Sequence, residues 1–292
     1  MKKIFALGFF DGVHLGHQAL LTECCRLAAA CDCETAAITF EAHPQALFLN
    51  DPPKLINAVS DRYQLLLQYG IDHVYAFPVT KKVMSTKWQD FLEHLIDCGG
   101  AGFVCGEDFR FGRGGEGNAR NLAEFCKARQ LPCSIVSQQA LDGLRISSTH
   151  IRTLLEEGKV EEANRFLGHP HMLSGEVTTG RKLGRTLGIP TANLLIPEEV
   201  VVPRFGVYAC KAIVEGKEYL AVTNIGNRPT VGGHRVTVEP WILDFEGDLY
   251  GKTITLTFHS FLRPEKKFDS LEALKTEIQE NARQTRKIFE KT

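Results

Sequence analysis

Residues 8–17, Gly8-Phe9-Phe10-Asp11-Gly12-Val13-His14-Leu15-Gly16-His17, form the stretch that decides the fold of the first half of the chain. The apolar residues 3–8 predict a buried strand, and residues 15–31 predict a helix because their apolar side chains recur at helical spacing. A strand that runs through a short turn into a helix is typical of an α/β sheet. Because ligands of such sheets bind beyond the carboxyl ends of the strands, this stretch is also the first candidate site.

The same alternation of strand and helix continues outward from this stretch. Further strands are predicted at 36–40, 73–77, 103–105 and 134–136, and further helices near 60–69, 87–97 and 119–129. This order predicts a parallel sheet covered by helices on both faces. A last helical pattern runs over 148–167 and stops at Gly168-His169-Pro170. We therefore expect an N-terminal domain over 1–168 and a second domain over 172–292.

The second half has the pattern of a β protein. Short β-rich segments lie at 173–178, 206–214, 219–225, 236–245 and 253–259. Glu215-Gly216-Lys217 and Glu246-Gly247-Asp248 are interpreted as hairpin turns, and the whole predicts a small barrel or sandwich. A terminal helix is expected from about residue 270, with Asp269 and Glu272 as its capping box. Its predicted inner face consists of Leu271, Leu274, Ile278, Ala282 and Phe289.

Composition excludes several classes of protein. The formal net charge of the 292 residues is -1, without the basic excess that nucleic-acid-binding proteins show, so no nucleic-acid partner is expected. The apolar run after Met1 is too short for a signal peptide, and no stretch approaches 18 apolar residues, so no membrane partner is expected. The 9 cysteines favour reduced, mostly buried thiols in a cytoplasmic protein. A metal site at Cys24, Cys25, Cys31 and Cys33 is a weak alternative because no CxxC pair occurs.

The first candidate site suits a polyphosphate. A helix N-terminus offers unpaired N–H groups and a partial positive charge to phosphate. His14 and His17 lie three residues apart in the predicted first turn, and Gly16 between them leaves room for a nucleotide against the backbone. Two donating imidazoles can hold triphosphate oxygens and stabilise the charge of departing pyrophosphate. Taken alone, the pair could equally be two exposed histidines at an ordinary helix cap.

Three more segments carry a family resemblance: Phe40-Glu41-Ala42-His43-Pro44, Gly106-Glu107-Asp108-Phe109-Arg110-Phe111-Gly112 and Ile146-Ser147-Ser148-Thr149-His150-Ile151-Arg152. With the HxGH signature of nucleotidylyltransferases at His14, they resemble the FMN adenylyltransferase module of the bacterial bifunctional riboflavin kinase/FAD synthetase family. Alone, the Ser-Ser-Thr run would be interpreted as a helix cap. Two residues depart from the family pattern, Phe9 in place of a hydroxyl residue and Ala42 in place of proline.

This resemblance implies a Rossmann-like nucleotidylyltransferase sheet and assigns roles to its residues. ATP phosphates would meet the two histidines and the residues of the last segment, and Asp108 would face the flavin or adenine. The nucleotide and phosphate contacts implied are His14, His17, Gly8, Asp11, Gly16, Asp108, Ser148, Thr149 and Arg152.

A second candidate site lies in the glycine-rich, basic stretch from Gly180 to Leu194. Backbone amides in such a loop can cradle phosphates, and Thr191 and Asn193 offer oxygen ligands to Mg²⁺. No GxxxxGK[ST] motif occurs, so this is not a Walker A loop, and alone it could be a surface hairpin. The segments Gly206-Val207-Tyr208-Ala209, Asn224-Ile225-Gly226-Asn227-Arg228-Pro229-Thr230 and 243–251 follow it in order.

That series resembles the riboflavin kinase module of the same family. The resemblance implies a small six-stranded barrel with a terminal helix, ATP contacts from Gly180 and Lys182, and Mg²⁺ at Thr191 and Asn193. Glu239 matches the family's catalytic carboxylate, which would take the proton of the riboflavin hydroxyl. Pro240-Trp241 departs from the usual sequence, and Pro240 predicts an edge strand or a bulge there.

Together the two halves imply a cytoplasmic enzyme whose small-molecule substrates are riboflavin, FMN and ATP. It would phosphorylate riboflavin to FMN and adenylylate FMN to FAD, with Mg²⁺ as cofactor; the oligomeric state stays open. An alternative is that only one half is active and the other binds flavin or regulates. A protein that binds or charges RNA is a third hypothesis, since HxGH also occurs in some aminoacyl-tRNA synthetases, but the neutral charge disfavours it.

Overall fold

Five parallel strands form the main sheet of the first half of the protein, which we describe from a computed structural model over residues 1–178, 188–230 and 233–290. The sheet order is β3-β2-β1-β4-β7, with two small two-stranded sheets, β5-β6 and β8-β9, beside it. In chain order the strands are β1 (Lys3–Leu7), β2 (Glu34–Phe40), β3 (His73–Phe77), β4 (Gly100–Gly106), β5 (Arg110–Phe111), β6 (Gly117–Asn118), β7 (Cys133–Val136), β8 (Ala140–Leu141) and β9 (Leu144–Arg145).

Helices follow the strands of the main sheet, and the predicted parallel α/β arrangement is confirmed. They are α1 (Leu15–Ala30), α2 (Val59–Gln68), α3 (Lys81–Met84), α4 (Trp88–Asp97) and α5 (Ala119–Ala128), with single 3₁₀ turns at Pro44–Leu47 and Arg113–Gly115. Strand β1 pairs with β2 on one side and with β4 on the other, so the sheet order reverses at β1. The loops after β1 and β4 therefore border the crevice where such sheets bind ligands.

The helical pattern predicted over 148–167 is divided into α6 (Ser148–Glu157) and α7 (Val160–Leu167). Gly158 separates them with a φ of 81°, a conformation that glycine adopts at little cost. The Asn164 side chain on α7 donates to the Phe258 carbonyl at 2.8 Å and accepts from the His171 amide at 2.7 Å. Because of such contacts α6 and α7 pack with the second half, and the chain divides into Met1–Ser148 and Thr149–Thr292.

The second unit contains a closed antiparallel barrel of six strands in the order β10-β11-β14-β13-β12-β15, which confirms the predicted barrel. Its strands are β10 (His171–Thr178), β11 (Asn193–Leu195), β12 (Gly206–Val214), β13 (Lys217–Thr230), β14 (Gly233–Ile242) and β15 (Thr253–Arg263). Inward and outward residues alternate along β15, where Ile254, Leu256 and Phe258 are buried. The terminal helix α8 (Leu271–Phe289) packs against β12 and β13 on the outside of the barrel.

Several local predictions for the second half were wrong. The turn at Glu215-Gly216 does join the paired strands β12 and β13, but Glu246-Gly247-Asp248 is no hairpin turn, because β14 and β15 are not neighbours in the barrel. Helix α8 is capped by Ser270 rather than Asp269, since the Ser270 hydroxyl accepts from the Ala273 amide at 3.1 Å. Its predicted inner residue Leu271 is 66% exposed.

Pro240 was predicted to require an edge strand or a bulge, and that prediction was also wrong. Strand β14 lies between β11 and β13, and Pro240 pairs with Thr223 without a shift of register. Its carbonyl accepts from the Ala192 amide at 2.9 Å. Because the nitrogen and carbonyl of a residue in an antiparallel strand face the same neighbour, the missing N–H faces Ala192, just outside the short strand β11. The ladder with β13 is therefore intact.

The cysteines and helices agree in part with the composition argument. All nine cysteines are free thiols; Cys31 and Cys98 are exposed, whereas all the others are buried or half-buried. Among residues 1–178, 188–230 and 233–290, no cluster of His, Cys, Asp or Glu suitable for a metal ion is found, which disfavours the cysteine site. Over the same residues, none of the helices combines the length and apolar character needed to cross a bilayer.

Replacing Asn164 with alanine is expected to destabilise the second unit. The change leaves the Phe258 carbonyl and the His171 amide without their partner, and each such loss costs about 1–3 kcal/mol. Urea unfolding should show a decrease of about 2–6 kcal/mol in the free energy of unfolding. Glu156→Ala, at an exposed position on α6, is the control. Equal stabilities of the two variants would contradict the packing described for α7.

Candidate functional site

The loop between β1 and α1 has an unusual backbone that its surroundings hold in place. Phe10 and Val13 adopt φ values of 57° and 40°, and Gly12 adopts 85°. Positive φ is unfavourable for a β-branched residue such as valine, so the loop must be fixed by contacts elsewhere. A Cβ on Gly8 would lie only 2.9 Å from the Phe10 ring, which explains the glycine at that position.

Asp11 supplies one of these contacts. Its side chain is buried, with 1% exposure, and its Oδ1 accepts from the Ile56 amide at 2.8 Å. The Asp11 carbonyl accepts from the Ser148 hydroxyl at 2.9 Å. Gly8 and Asp11 were both predicted to contact the nucleotide. In the structure both support the conformation of the loop, and the Asp11 carboxylate is directed toward a backbone amide.

His14 and His17 lie on one side of the α1 N-terminus, as predicted. Their rings stack with centroids 3.6 Å apart and an interplanar angle of 10°. His14 is the N-cap residue, and its Nδ1 accepts from the His17 amide at 3.3 Å. A Cβ on Gly16 would lie 3.3 Å from the His14 ring, so the glycine keeps the space over this turn open.

The electrostatics of this pair favour a neutral His17. Burial lowers the pKa of His17 well below its usual value, and the positive charges of His14 and Arg62 lower it further. Two imidazoles in van der Waals contact cannot both be protonated without strong repulsion. The buried Nδ1 of His17 has no hydrogen-bond partner among the described residues, so Nε2 is the nitrogen left to meet a ligand.

Arg62 is a component of the site that the sequence analysis missed. It is fully buried on α2, and its Nη1 donates to the Phe9 carbonyl at 3.2 Å and to Thr39 Oγ1 and the Phe40 carbonyl, each at 2.9 Å. Its guanidinium lies 4.7 Å from the centroid of the Phe9 ring. One signal could have revealed it, because Arg62 occupies the same helix face as the buried Leu65 and Leu66.

An open cleft with an empty volume of about 720 Å³ lies beside the histidine pair. Asp108, in the loop after β4, forms an ion pair with Arg145. The cleft is lined by His14, Gly16, His17, Leu20, Gly106, Asp108, residues 136–139 and residues 145–148. The structure thus brings five of the predicted residues to one cleft: His14, His17, Gly16, Asp108 and Ser148.

Two predicted phosphate contacts belong to the second unit. Thr149 and Arg152 lie in the first turns of α6, where Thr149 is exposed and Arg152 is half-buried. In the second candidate site, Gly180 and Lys182 lie outside the described residues.

The remaining predicted residues of the second site meet on the outer face of the barrel. Leu194 pairs with Val238, and Thr191 pairs with Trp241, so the same register sets Asn193 opposite Glu239. On the other side of β14, Glu239 pairs with Asn224 of β13. The buried neighbours of Glu239, Val238 and Pro240, point inward, so Glu239 points outward with its paired residues.

This face offers oxygen donors and an adjoining cleft. The hydroxyl of Thr191 and the amide oxygen of Asn193 are hard donors of the kind that Mg²⁺ takes, so the residues present fit that ion. Glu265 approaches the same face, since a Cβ on Gly226 would lie 2.3 Å from its Oε1. Beside it lies a cleft with an empty volume of about 510 Å³, lined by Pro190, Thr191, Ala192, Phe245, Tyr250 and neighbouring residues.

Comparison with known proteins accounts for both halves. The family model for FAD synthetase matches residues 1–150, and the model for riboflavin kinase matches residues 167–289. The bifunctional riboflavin kinase/FMN adenylyltransferase of Listeria monocytogenes is 35% identical over 100% of this chain and 94% of its own length. The protein of the same name from Bacillus subtilis is 33% identical over 99% of this chain and 93% of its own length.

A solved structure has the same overall fold. A crystal structure described as a macrolide-efflux protein from Streptococcus pneumoniae aligns with a TM-score of 0.87 at 28% identity. The alignment covers 98% of this chain and 94% of the chain in that crystal structure. With matched family models over both halves and full-length relatives above 30% identity, the chain belongs to the family of bifunctional riboflavin kinase/FMN adenylyltransferases.

Proposed function

We propose that this protein phosphorylates riboflavin to FMN and then adenylylates FMN to FAD, with ATP as the donor in both steps. The observation that carries the proposal is that each family-matched half has its own cleft, lined by His14, His17 and Ser148 in the first half and by Thr191 in the second. Family models match both halves, and no observation favours an enzyme with a single active half.

In the adenylyl transfer, a phosphate oxygen of FMN attacks the α-phosphorus of ATP. A new oxygen–phosphorus bond forms, the bond to the bridging oxygen breaks, and pyrophosphate leaves with the electron pair. His14, His17 and the N-terminal amides of α1 would hold the departing phosphates. Ser148, Thr149 and Arg152 would contact the other phosphate oxygens, and Asp108 would face the flavin or the adenine.

A neutral His17 suits this role. With its pKa well below the usual value, the imidazole holds one ring proton at neutral pH, which Nε2 can donate to a phosphate oxygen. Charge then builds on the oxygen in the transition state, where a positioned donor contributes most.

In the phosphoryl transfer, the 5′-hydroxyl of riboflavin attacks the γ-phosphorus of ATP and ADP leaves. Glu239 would accept the hydroxyl proton from the outer face of the barrel. Thr191 and Asn193 would hold Mg²⁺, which neutralises phosphate charge when it is bound, and Gly180 and Lys182 would contact the ATP phosphates. The register of β11 and β14 supports this assignment, because it sets Asn193 opposite Glu239.

By the same proposal, the partners of the protein are riboflavin, FMN and ATP. It acts in the cytoplasm, which supplies the ATP. Nine free thiols suit that reducing compartment.

Replacing His17 with alanine is expected to lower FAD formation from FMN about 10²–10³-fold, because a donor to the leaving phosphates is lost. Riboflavin phosphorylation should stay near the parent rate, since its residues lie in the other unit. Chromatographic separation of riboflavin, FMN and FAD after incubation with Mg-ATP measures both. Equal losses of the two activities would contradict separate sites.

Replacing Glu239 with glutamine is expected to have the opposite effect. Riboflavin phosphorylation should fall about 10²–10⁴-fold, as loss of a general base predicts, whereas added FMN should still become FAD. Glu176→Gln, an exposed glutamate on β10, is the matched control and should behave like the parent. A Glu239→Gln enzyme that phosphorylates riboflavin at the parent rate would rule out Glu239 as the base.

A further inference from the structure

Arg62 is among the largest fully buried side chains of the described residues, and it carries a permanent charge. Transfer of a guanidinium into the protein interior is costly unless the surroundings compensate for it. Within the described residues, only Nη1 makes hydrogen bonds, while Nε and Nη2 are buried without a partner. A buried cation with unused donors beneath a nucleotide loop indicates a role beyond packing.

The contacts of Nη1 connect the ends of two neighbouring strands. Phe9 is the second residue after β1, and Thr39 and Phe40 end β2. The hydroxyl of Thr39 itself donates to the Phe9 carbonyl at 2.7 Å, so the guanidinium, the hydroxyl and the carbonyl form one closed network. The guanidinium also covers the Phe9 ring. Arg62 therefore fixes the start of the loop that ends at His14.

The charge of Arg62 also acts on the histidine pair. It contributes to the lowered pKa of His17, after burial and the charge of His14. Asp108 and Arg145 also line the cleft beside His17, and they form an ion pair with each other. The carboxylate of Asp11 interacts with Arg62 through its charge while it accepts from the Ile56 amide.

We propose that Arg62 is a positioning residue for adenylyl transfer, which fixes Phe9 and thereby the His14–His17 pair and adds a permanent positive charge behind the departing pyrophosphate. This inference rests on the proposed function. Two effects are separable: the hydrogen bonds set the geometry of the loop, and the charge adds to the lowering of the His17 pKa that burial and His14 produce.

Three variants separate these effects. Arg62→Gln removes the charge and part of the network, Arg62→Lys keeps the charge but not the planar fork, and Thr39→Val removes the hydroxyl and keeps both charge and volume. Leu66→Ala, at a fully buried position on the same helix, is the control for simple destabilisation. For each variant, kcat and KM for ATP in FAD synthesis are measured across pH, with riboflavin phosphorylation as the internal standard.

Misplacement of the loop should lower kcat for FAD synthesis about 10²-fold in both Arg62 variants and less in Thr39→Val. Because the charge of Arg62 disfavours protonated His17, its removal raises the pKa of His17. The acidic limb of kcat/KM should therefore move to higher pH in Arg62→Gln and stay in place in Arg62→Lys, Thr39→Val and Leu66→Ala. Riboflavin phosphorylation should remain at the parent level in all four.

The inference is overturned if Arg62→Gln gives the kinetic constants and pH profile of Leu66→Ala. If Arg62→Gln does not fold, Arg62→Lys and Thr39→Val decide the question, and parent values of kcat in both overturn the inference. An unmodified protein that forms no FAD from FMN and ATP would instead refute the proposed function, which distinguishes the two failures.

Discussion

The left-handed turn between β1 and α1 is the constraint on which the first site depends. Phe10, Gly12 and Val13 all have positive φ values, and such a loop persists only where neighbouring groups hold it. The Asp11 carboxylate fixes the loop by accepting a hydrogen bond from the Ile56 amide, and Arg62 fixes it by donating one to the Phe9 carbonyl. The result is a stacked imidazole pair whose geometry is held by contacts within the protein. Preorganisation of this kind lets donors act on developing charge without rearrangement.

The second site depends on strand register instead of a strained loop. A short strand, β11, joins the barrel through a few pairings, and these set Thr191, Asn193 and Glu239 on one outer face. A shift by one residue would turn all of these side chains into the barrel, so the register itself specifies the site. Pro240 fits this arrangement because its missing N–H faces the end of β11. The two candidate sites thus depend on different constraints, a loop with positive φ values in the first unit and a strand register in the second.

Most of the fold could be predicted from the sequence, because it depends on the spacing of apolar and polar residues within short segments. The alternation of apolar strands and amphipathic helices predicted the parallel sheet, and the series of short β-rich segments predicted the barrel. Two choices that depend on tertiary contacts were harder to predict, the division of 148–167 at Gly158 and the short strand β11. The cap at Ser270 in place of Asp269 is a local choice between neighbouring residues. Arg62 was missed because an arginine in an amphipathic helix is usually on its exposed face. The role of Asp11 in holding the loop likewise depends on partners far along the chain, Ile56 and Ser148.

The central claim is that one chain contains two separate sites for ATP, one releasing pyrophosphate and the other releasing ADP. The most direct measurement is a time course of the unmodified protein with riboflavin and Mg-ATP, in which flavins and both nucleotide products are quantified together. The account predicts that FMN appears before FAD, with one ADP released for each riboflavin consumed and one pyrophosphate for each FAD formed. Accumulation of FMN alone, or formation of FAD without pyrophosphate, would contradict it.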